Sequence, residues 1–309
     1  MPVSLVTIGI PAYNRPDGLE RATRSALAQD HSELEVLLSD DASTDRAVEE
    51  VASGLASGDP RVRLVRQPRN LGHAGNYQWL LEAARGEYFM WLADDDWIDP
   101  GYVGSCVAAL RGNPGTLLVC GLARYYRDGE YLFDERAIDL TADRAGVRLV
   151  RYFARVSLNG ALFGVARRED LLPVGFPGVV GGDWMLIAAL AARGRIRTLA
   201  QVHVHRSVSG LGSEPTRLAH SFGMRGRAAD RHHAIVAARM WREIAFGAVA
   251  PEGTSAVARL SVGSVVAALI VARFTLADFA RGVLGEQAAA SLERRISAWL
   301  RARDQGTAR

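Results

Sequence analysis

The first hundred residues alternate between strand-like and helix-like stretches, and this alternation constrains the fold more than any other feature. Val3 to Ile10 is a mostly apolar run of strand length, and Gly18 to Ala28 places Leu19, Ala22 and Ala26 on one helical face. Leu34 to Leu38 reads as a second strand, after which Ser43 can cap a helix running to about Ala56. Val62 to Arg66 is a third strand, followed by a helix from His73 to Arg85 that Gly86 closes. Tyr88 to Ala93 is a fourth strand, and a helix follows Pro100. Repeated strand–helix units predict an α/β fold with a mostly parallel, Rossmann-like central sheet and helices on both sides. Ligands in such sheets bind beyond the carboxyl ends of the strands. The segments just past those ends are "PAYNR", "SDDASTD", "QPRNLGHAGN" and "ADDDW". All four are polar, so a binding edge is expected there.

The stretch "FMWLADDDW", Phe89 to Trp97, sharpens that expectation. An apolar strand runs straight into Asp94, Asp95 and Asp96, three like charges that raise one another's pKa. Two explanations compete: a solvated turn ahead of Pro100, or a shared cation.

Beyond the fourth strand the order loosens. Thr116 to Tyr126 reads as a strand, with a turn at Asp128-Gly129 and a returning strand through Phe133. "SLNGALFGVARR" suggests a strand near Phe163, and "GGDWMLIAALAARG" a helix from about Asp183 to Gly194. "RIRTLAQVHVHR" alternates as a strand should, and the chain reads helical beyond about Ser213, interrupted at Ala250 to Gly253. A chain of 309 residues suits one large domain, residues 1–212, followed by a helical extension, residues 213–309. The most apolar late stretch begins at Val262 and is broken by Arg273, short of the roughly 20 apolar residues of a membrane span.

Composition narrows the function by exclusion. A net charge of +3 gives no reason to expect nucleic-acid binding. The chain has no lysine, so a Walker phosphate loop is ruled out, and the first turn, "PAYNRPDG", lacks the glycines of a dinucleotide fingerprint. Cys106 and Cys120 lie in apolar segments without metal spacing, which suits reduced core residues of a cytoplasmic protein. The N-terminal run has no basic flank and long apolar core, so no signal peptide is expected. Carboxylates at the binding edge point to a divalent cation, which typically takes one or two protein carboxylates plus substrate phosphates.

Taken together, "VTIGIPAYNR", "LLSDDASTD", "QPRNLGHAGN", "GEYFMWLADDDW" and "GGDWML" resemble a family 2 glycosyltransferase. The resemblance covers about Val3 to Ser209 and implies a GT-A fold and an inverting, nucleotide-sugar-dependent enzyme. It puts the donor's base and ribose near Pro11, Tyr13, Asn14 and Arg15, with Tyr13 against the base, and makes Asp41 a hydrogen-bond acceptor for the base. Asp40 suits the entry to the following helix. Further nucleotide contacts are implied for Arg69, Asn70 and Asn76, with Gly75 allowing close approach. The triplet resembles a D-x-D motif in which Ala93 replaces the first aspartate. That register makes Asp95 the principal ligand of Mn²⁺ or Mg²⁺, with Asp94 and Asp96 assisting at ribose, water or metal. Extended geometry instead sets Asp94 and Asp96 on one face and Asp95 on the other.

"GGDWML" resembles the family's E-D-W region, with Gly182 in place of the usual glutamate. Asp183 is then the general base, and it can also cap the helix it begins. Trp184 either shapes the acceptor pocket or packs in the core. His205, with Arg206, would suit the metal or the pyrophosphate. The implied partners are a UDP-, GDP- or dTDP-linked sugar and an acceptor hydroxyl. The C-terminal helices are expected to cover the catalytic domain or form a homodimer, with contact at the inner face of a membrane as another use. Two other functions stay open: a nucleotidyltransferase on a similar sheet, and an inactive nucleotide-sugar-binding scaffold.

Overall fold

A computed structural model describes residues 3–208 and 232–284. The alternating units form as expected: β1 (Val6–Ala12), α1 (Pro16–Leu27), β2 (Leu34–Asp40), α2 (Arg46–Gly58), β3 (Val62–Arg66), α3 (Gly72–Ala83) and β4 (Tyr88–Trp91). β1 pairs in parallel with β2 and β4, and β2 with β3. Every residue of β2 and β4 is buried, so both faces of the sheet are covered at this point. Pro16 opens α1 with its φ already set for a helix and no N–H to satisfy. The cap of α2 differs from expectation. Asp45 accepts from the Ala47 amide at 3.0 Å, whereas Ser43 receives the Asn14 amide, because α2 begins at Arg46.

The second half adds β5 (Trp97–Ile98), α4 (Tyr102–Arg111), β6 (Thr116–Arg127), β7 (Glu130–Asp134), α5 (Ala145–Arg155), β8 (Val165–Arg167), α6 (Arg168–Leu171), α7 (Gly182–Arg193) and β9 (Arg195–Ser207). The sheet order is β3-β2-β1-β4-β8-β6-β9-β5, with β7 beside β6. β8 runs antiparallel between β4 and β6, so the parallel half is extended by a mixed half. The stretch around Phe163 is a 3-10 turn, Gly160–Phe163, and the strand begins only at Val165. α5 was not anticipated, although Arg148, Leu149, Tyr152 and Phe153 are buried at helical spacing.

Two helices follow, α8 (His232–Phe246) and α9 (Ala256–Leu284). They pack on each other, and α9 also lies against α5. The 20 residues Ala256–Thr275 have a mean hydropathy of 1.8 and are long and apolar enough to cross a membrane by length and composition, which corrects the shorter stretch expected. Residues 209–231 and 285–309, including the boundary near 212 and "RRISAWLRAR", lie outside the described residues.

Candidate active site

The four polar segments at the carboxyl ends of β1 to β4 are joined by hydrogen bonds into one surface. Asn14 adopts the left-handed conformation, φ 54°, and its side-chain oxygen accepts the amides of Thr44 and Asp45. Asp40 accepts the Ser43 amide at 2.9 Å and pairs with Arg66, which fixes the turn between β2 and α2. Asp41 accepts the Leu71 amide at 2.6 Å and so holds the start of α3. Burial pushes its carboxyl up, against the pull of the Leu71 and Gly72 amides. Tyr13 stands at this edge with 46% of its surface exposed, an aromatic face with no internal use.

The carboxylate triplet forms a turn, not an extension of β4. The Asp96 amide donates to the Ala93 carbonyl, and the chain reverses through Asp94 and Asp95. This overturns the alternation expected from extended backbone. Asp94 and Asp95 both meet the Arg15 guanidinium, at 3.3 and 2.7 Å, while Asp96 turns the other way to Arg206 at 3.1 Å. Asp94 also accepts the Tyr13 amide at 3.3 Å. Gly18 lets α1 approach, because a Cβ there would run into the Asp94 carbonyl oxygen. Burial and the neighbouring Asp95 charge push the Asp94 carboxyl up to about 7, although Arg15 opposes them. Burial also pushes the Asp96 carboxyl up.

No metal is present in the structure, and the residues permit only an incomplete site of their own. Among the described residues no cluster of three or more His, Cys, Asp or Glu side chains could hold an ion. Asp94 and Asp95 nonetheless form an all-oxygen pair on one turn, and one member is kept from full ionisation by burial. That pair fits a hard cation whose remaining ligands come from a diphosphate and water. Asp96 turns away from that pair to Arg206 and the Ser207 amide, so the structure does not bring it together with them as expected. The same holds for His205. Its Nε2 meets Asp99 at 2.7 Å, its Nδ1 meets the Tyr126 hydroxyl at 2.9 Å, and its ring stacks on Trp97.

Asn76 and Gly75 also need correction. Asn76 is buried and bonds Ser39 through both ends of its amide, so it does not reach the surface where a nucleotide would lie. Gly75 lies inside α3, where a Cβ would crowd Leu71. Arg69 and Asn70 are exposed, with Asn70 turned onto the Gly72 amide. Pro11 lies on β1 opposite Ser39.

Across the sheet, Asp183 sits in the first turn of α7. The cap is Gly181, φ 75°, without a side-chain bond, so Asp183 does not serve as the N-cap. Asn159 donates to Asp183 Oδ2 at 3.0 Å. Burial raises the Asp183 carboxyl, and the Asn159 bond and the Trp184 amide work against that rise. A Cβ at Gly182 would run into the Pro177 carbonyl oxygen, so the glutamate of the family pattern has no room there. Trp184 packs between Phe153 and Phe274, which is the core role. Arg206 links the aspartate turn to the turn that carries Asn159. It pairs with Asp96, donates to the Leu158 carbonyl at 2.8 Å and lies 4.4 Å over the Phe163 ring.

Residues 7–159 match the family described as Glycosyl transferase family 2. The chain belongs to glycosyltransferase family 2. Over 105 residues it is 39% identical to a hyaluronan synthase of Pasteurella multocida, covering 34% of this chain and 11% of that protein. It is 42% identical over 95 residues to the succinoglycan biosynthesis protein ExoO of Rhizobium meliloti, covering 31% of this chain and 26% of that one. The chain therefore spans a small part of these relatives. In fold it resembles the mannosyltransferase PcManGT of Pyrobaculum calidifontis, solved with GDP-Man and Mn²⁺, with TM-score 0.55, 20% identity, and coverage of 97% and 81% of the two chains. It resembles S. aureus TarS residues 1–349 in complex with UDP similarly, with TM-score 0.54, 18% identity, and coverage of 78% and 72%.

Proposed function

We propose that this chain is an inverting glycosyltransferase that moves a sugar from a nucleotide diphosphate sugar to an acceptor hydroxyl. The observation that carries this reading is the pairing of Asp94 and Asp95 on one turn, beside the exposed Tyr13 ring, with Asp183 held separately across Arg206. Tyr13 receives the base and Asp41 offers it an acceptor. Asp94 and Asp95 would hold Mn²⁺ or Mg²⁺, which when bound stabilises the negative charge of the diphosphate. Arg15 and Arg206 balance the carboxylates on either side of that position. Asp183 takes the proton from the acceptor hydroxyl as that oxygen attacks the anomeric carbon, and the nucleoside diphosphate leaves with the bonding pair. A cytoplasmic setting, with α9 at a membrane surface, belongs to the same proposal.

Turnover with a panel of UDP-, GDP- and dTDP-sugars, with either metal, tests it. Release of free nucleoside diphosphate and an inverted product is the expected result. Pyrophosphate release would make the chain a nucleotidyltransferase, and donor binding without turnover across the panel and a range of hydroxyl acceptors would make it a binding protein.

A further inference from the structure

We propose that Asn159 is a positioning residue for the base: its amide, oriented by Tyr152, holds Oδ2 of Asp183 and so sets the carboxylate to take the acceptor's proton. The inference rests on the reading of Asp183 as base. The Tyr152 hydroxyl donates to Asn159 Oδ1 at 3.0 Å, and Asn159 Nδ2 donates to Asp183 Oδ2 at 3.0 Å. The reverse amide orientation would set the Asn159 oxygen against a carboxylate, so this relay has one favourable sense.

The backbone beneath it is fixed. Asn159 is left-handed, φ 57°, a conformation asparagine tolerates better than most residues. Glu135, itself buried, holds that turn by accepting the amides of Leu158 at 3.0 Å, Asn159 at 3.1 Å and Gly160 at 2.7 Å. Arg206 ties the Leu158 carbonyl of the same turn to Asp96. The strained residue is therefore held from several sides, as is common where strain serves a site. Only its side chain reaches the base.

The groups facing Asp183 are Tyr152 from α5, Arg206 from β9 and the Trp184 amide on its own helix. Glu135 and Arg273 act on Tyr152 from further out. Removing the Asn159 donor leaves all of these in place and withdraws one bond that favours the ionised carboxylate. The base would then need a higher pH to be active.

Asn159→Gly keeps φ 57° free of strain and removes the side chain, with it the donor to Asp183 and the acceptor for Tyr152. The expected result is a turnover roughly 10- to 100-fold lower, the usual cost of a misplaced reacting group. Donor KM is expected to hold, and the acid limb of the pH–turnover profile to move to higher pH. Asn159→Asp keeps the shape and the Tyr152 bond but sets a second carboxyl against Asp183, and the limb is expected to move further up. It also serves if Asn159→Gly fails to fold. An unmoved limb in whichever variants fold, with turnover lowered evenly across pH or not at all, would overturn the proposal. Asp183→Asn run beside them separates the two readings. An inactive Asp183→Asn with an unmoved Asn159→Gly limb sinks the positioning role alone, whereas an active Asp183→Asn removes the base itself.

Discussion

Asp183 accepts from Asn159 and from the Trp184 amide, bonds that an asparagine side-chain oxygen can also take. Asp183→Asn should therefore leave the fold intact. Turnover is expected to fall about 10²- to 10⁴-fold, the worth of a positioned general base, while donor affinity measured by calorimetry stays unchanged. Near-normal turnover would move the base elsewhere. Asp94 supports a prediction on pH. Burial and the Asp95 charge push its carboxyl up to about 7, so it loses its charge as pH falls through that region. Mn²⁺ binding in the presence of a nucleoside diphosphate should weaken below pH 7, by at most about tenfold per unit. Titrations at pH 6 and pH 8 check the sign, and Asp94→Asn should flatten the dependence. Equal affinity at both pH values with the native residue would leave Asp95 as the whole protein contribution. These residues were legible in the sequence because charge at the end of an apolar strand is conspicuous. Their directions were not. Whether a triplet extends or turns depends on the Ala93 carbonyl finding the Asp96 amide, which no spacing rule records.

At the scale of elements, the parallel half was legible because buried strands and crossover helices announce themselves by apolar period. The loops were harder. Asn76 reads as a nucleotide contact in the first turns of the helix expected from His73, yet α3 turns that side chain inward to Ser39. His205 sits at a strand end, as a ligand might, but pairing β9 with β5 sets it on Asp99 and Trp97. The signal for the turn at residues 157–160 was present as the Asn159-Gly160 dipeptide, a turn former inside a stretch otherwise read as strand. Glu135 was not foreseeable, because its partners are backbone amides some two dozen residues away. Its role makes a stability prediction. Glu135→Ala would leave the buried amides of Asn159 and Gly160, and the half-buried amide of Leu158, without an acceptor. A loss of roughly 3–5 kcal/mol is expected from stranding several buried donors. Urea denaturation reads it as a lower midpoint at unchanged slope. A change within about 0.5 kcal/mol, the range of an ordinary surface substitution, would mean that other groups satisfy the turn.

For the molecule as a whole, the question is what α9 does beyond packing. Its inner face is settled by burial: Val266 and Ile270 are 0% and 1% exposed, and Phe274 stacks on Trp184 next to Asp183. Its outer face carries Val257, Val265 and Val271, exposed by 74%, 46% and 42%. A helix with two such faces should respond to charge in opposite ways. Val266→Asp buries an unpaired carboxylate and is expected to cost about 3 kcal/mol or more. Val265→Asp meets solvent and is expected to change stability by about 0.5 kcal/mol or less. Chemical denaturation of the two variants tests the orientation, and a large loss from Val265→Asp would show that something covers the outer face. The same variant tests the membrane proposal. An apolar outer face on a chain whose basic residues, histidine aside, are all arginine should recover with anionic vesicles in flotation, more weakly with neutral ones. Val265→Asp should lose that recovery while keeping its fold. Native protein that stays at the bottom with both vesicle types would remove the membrane from the proposal and leave α9 a packing or dimer-forming helix.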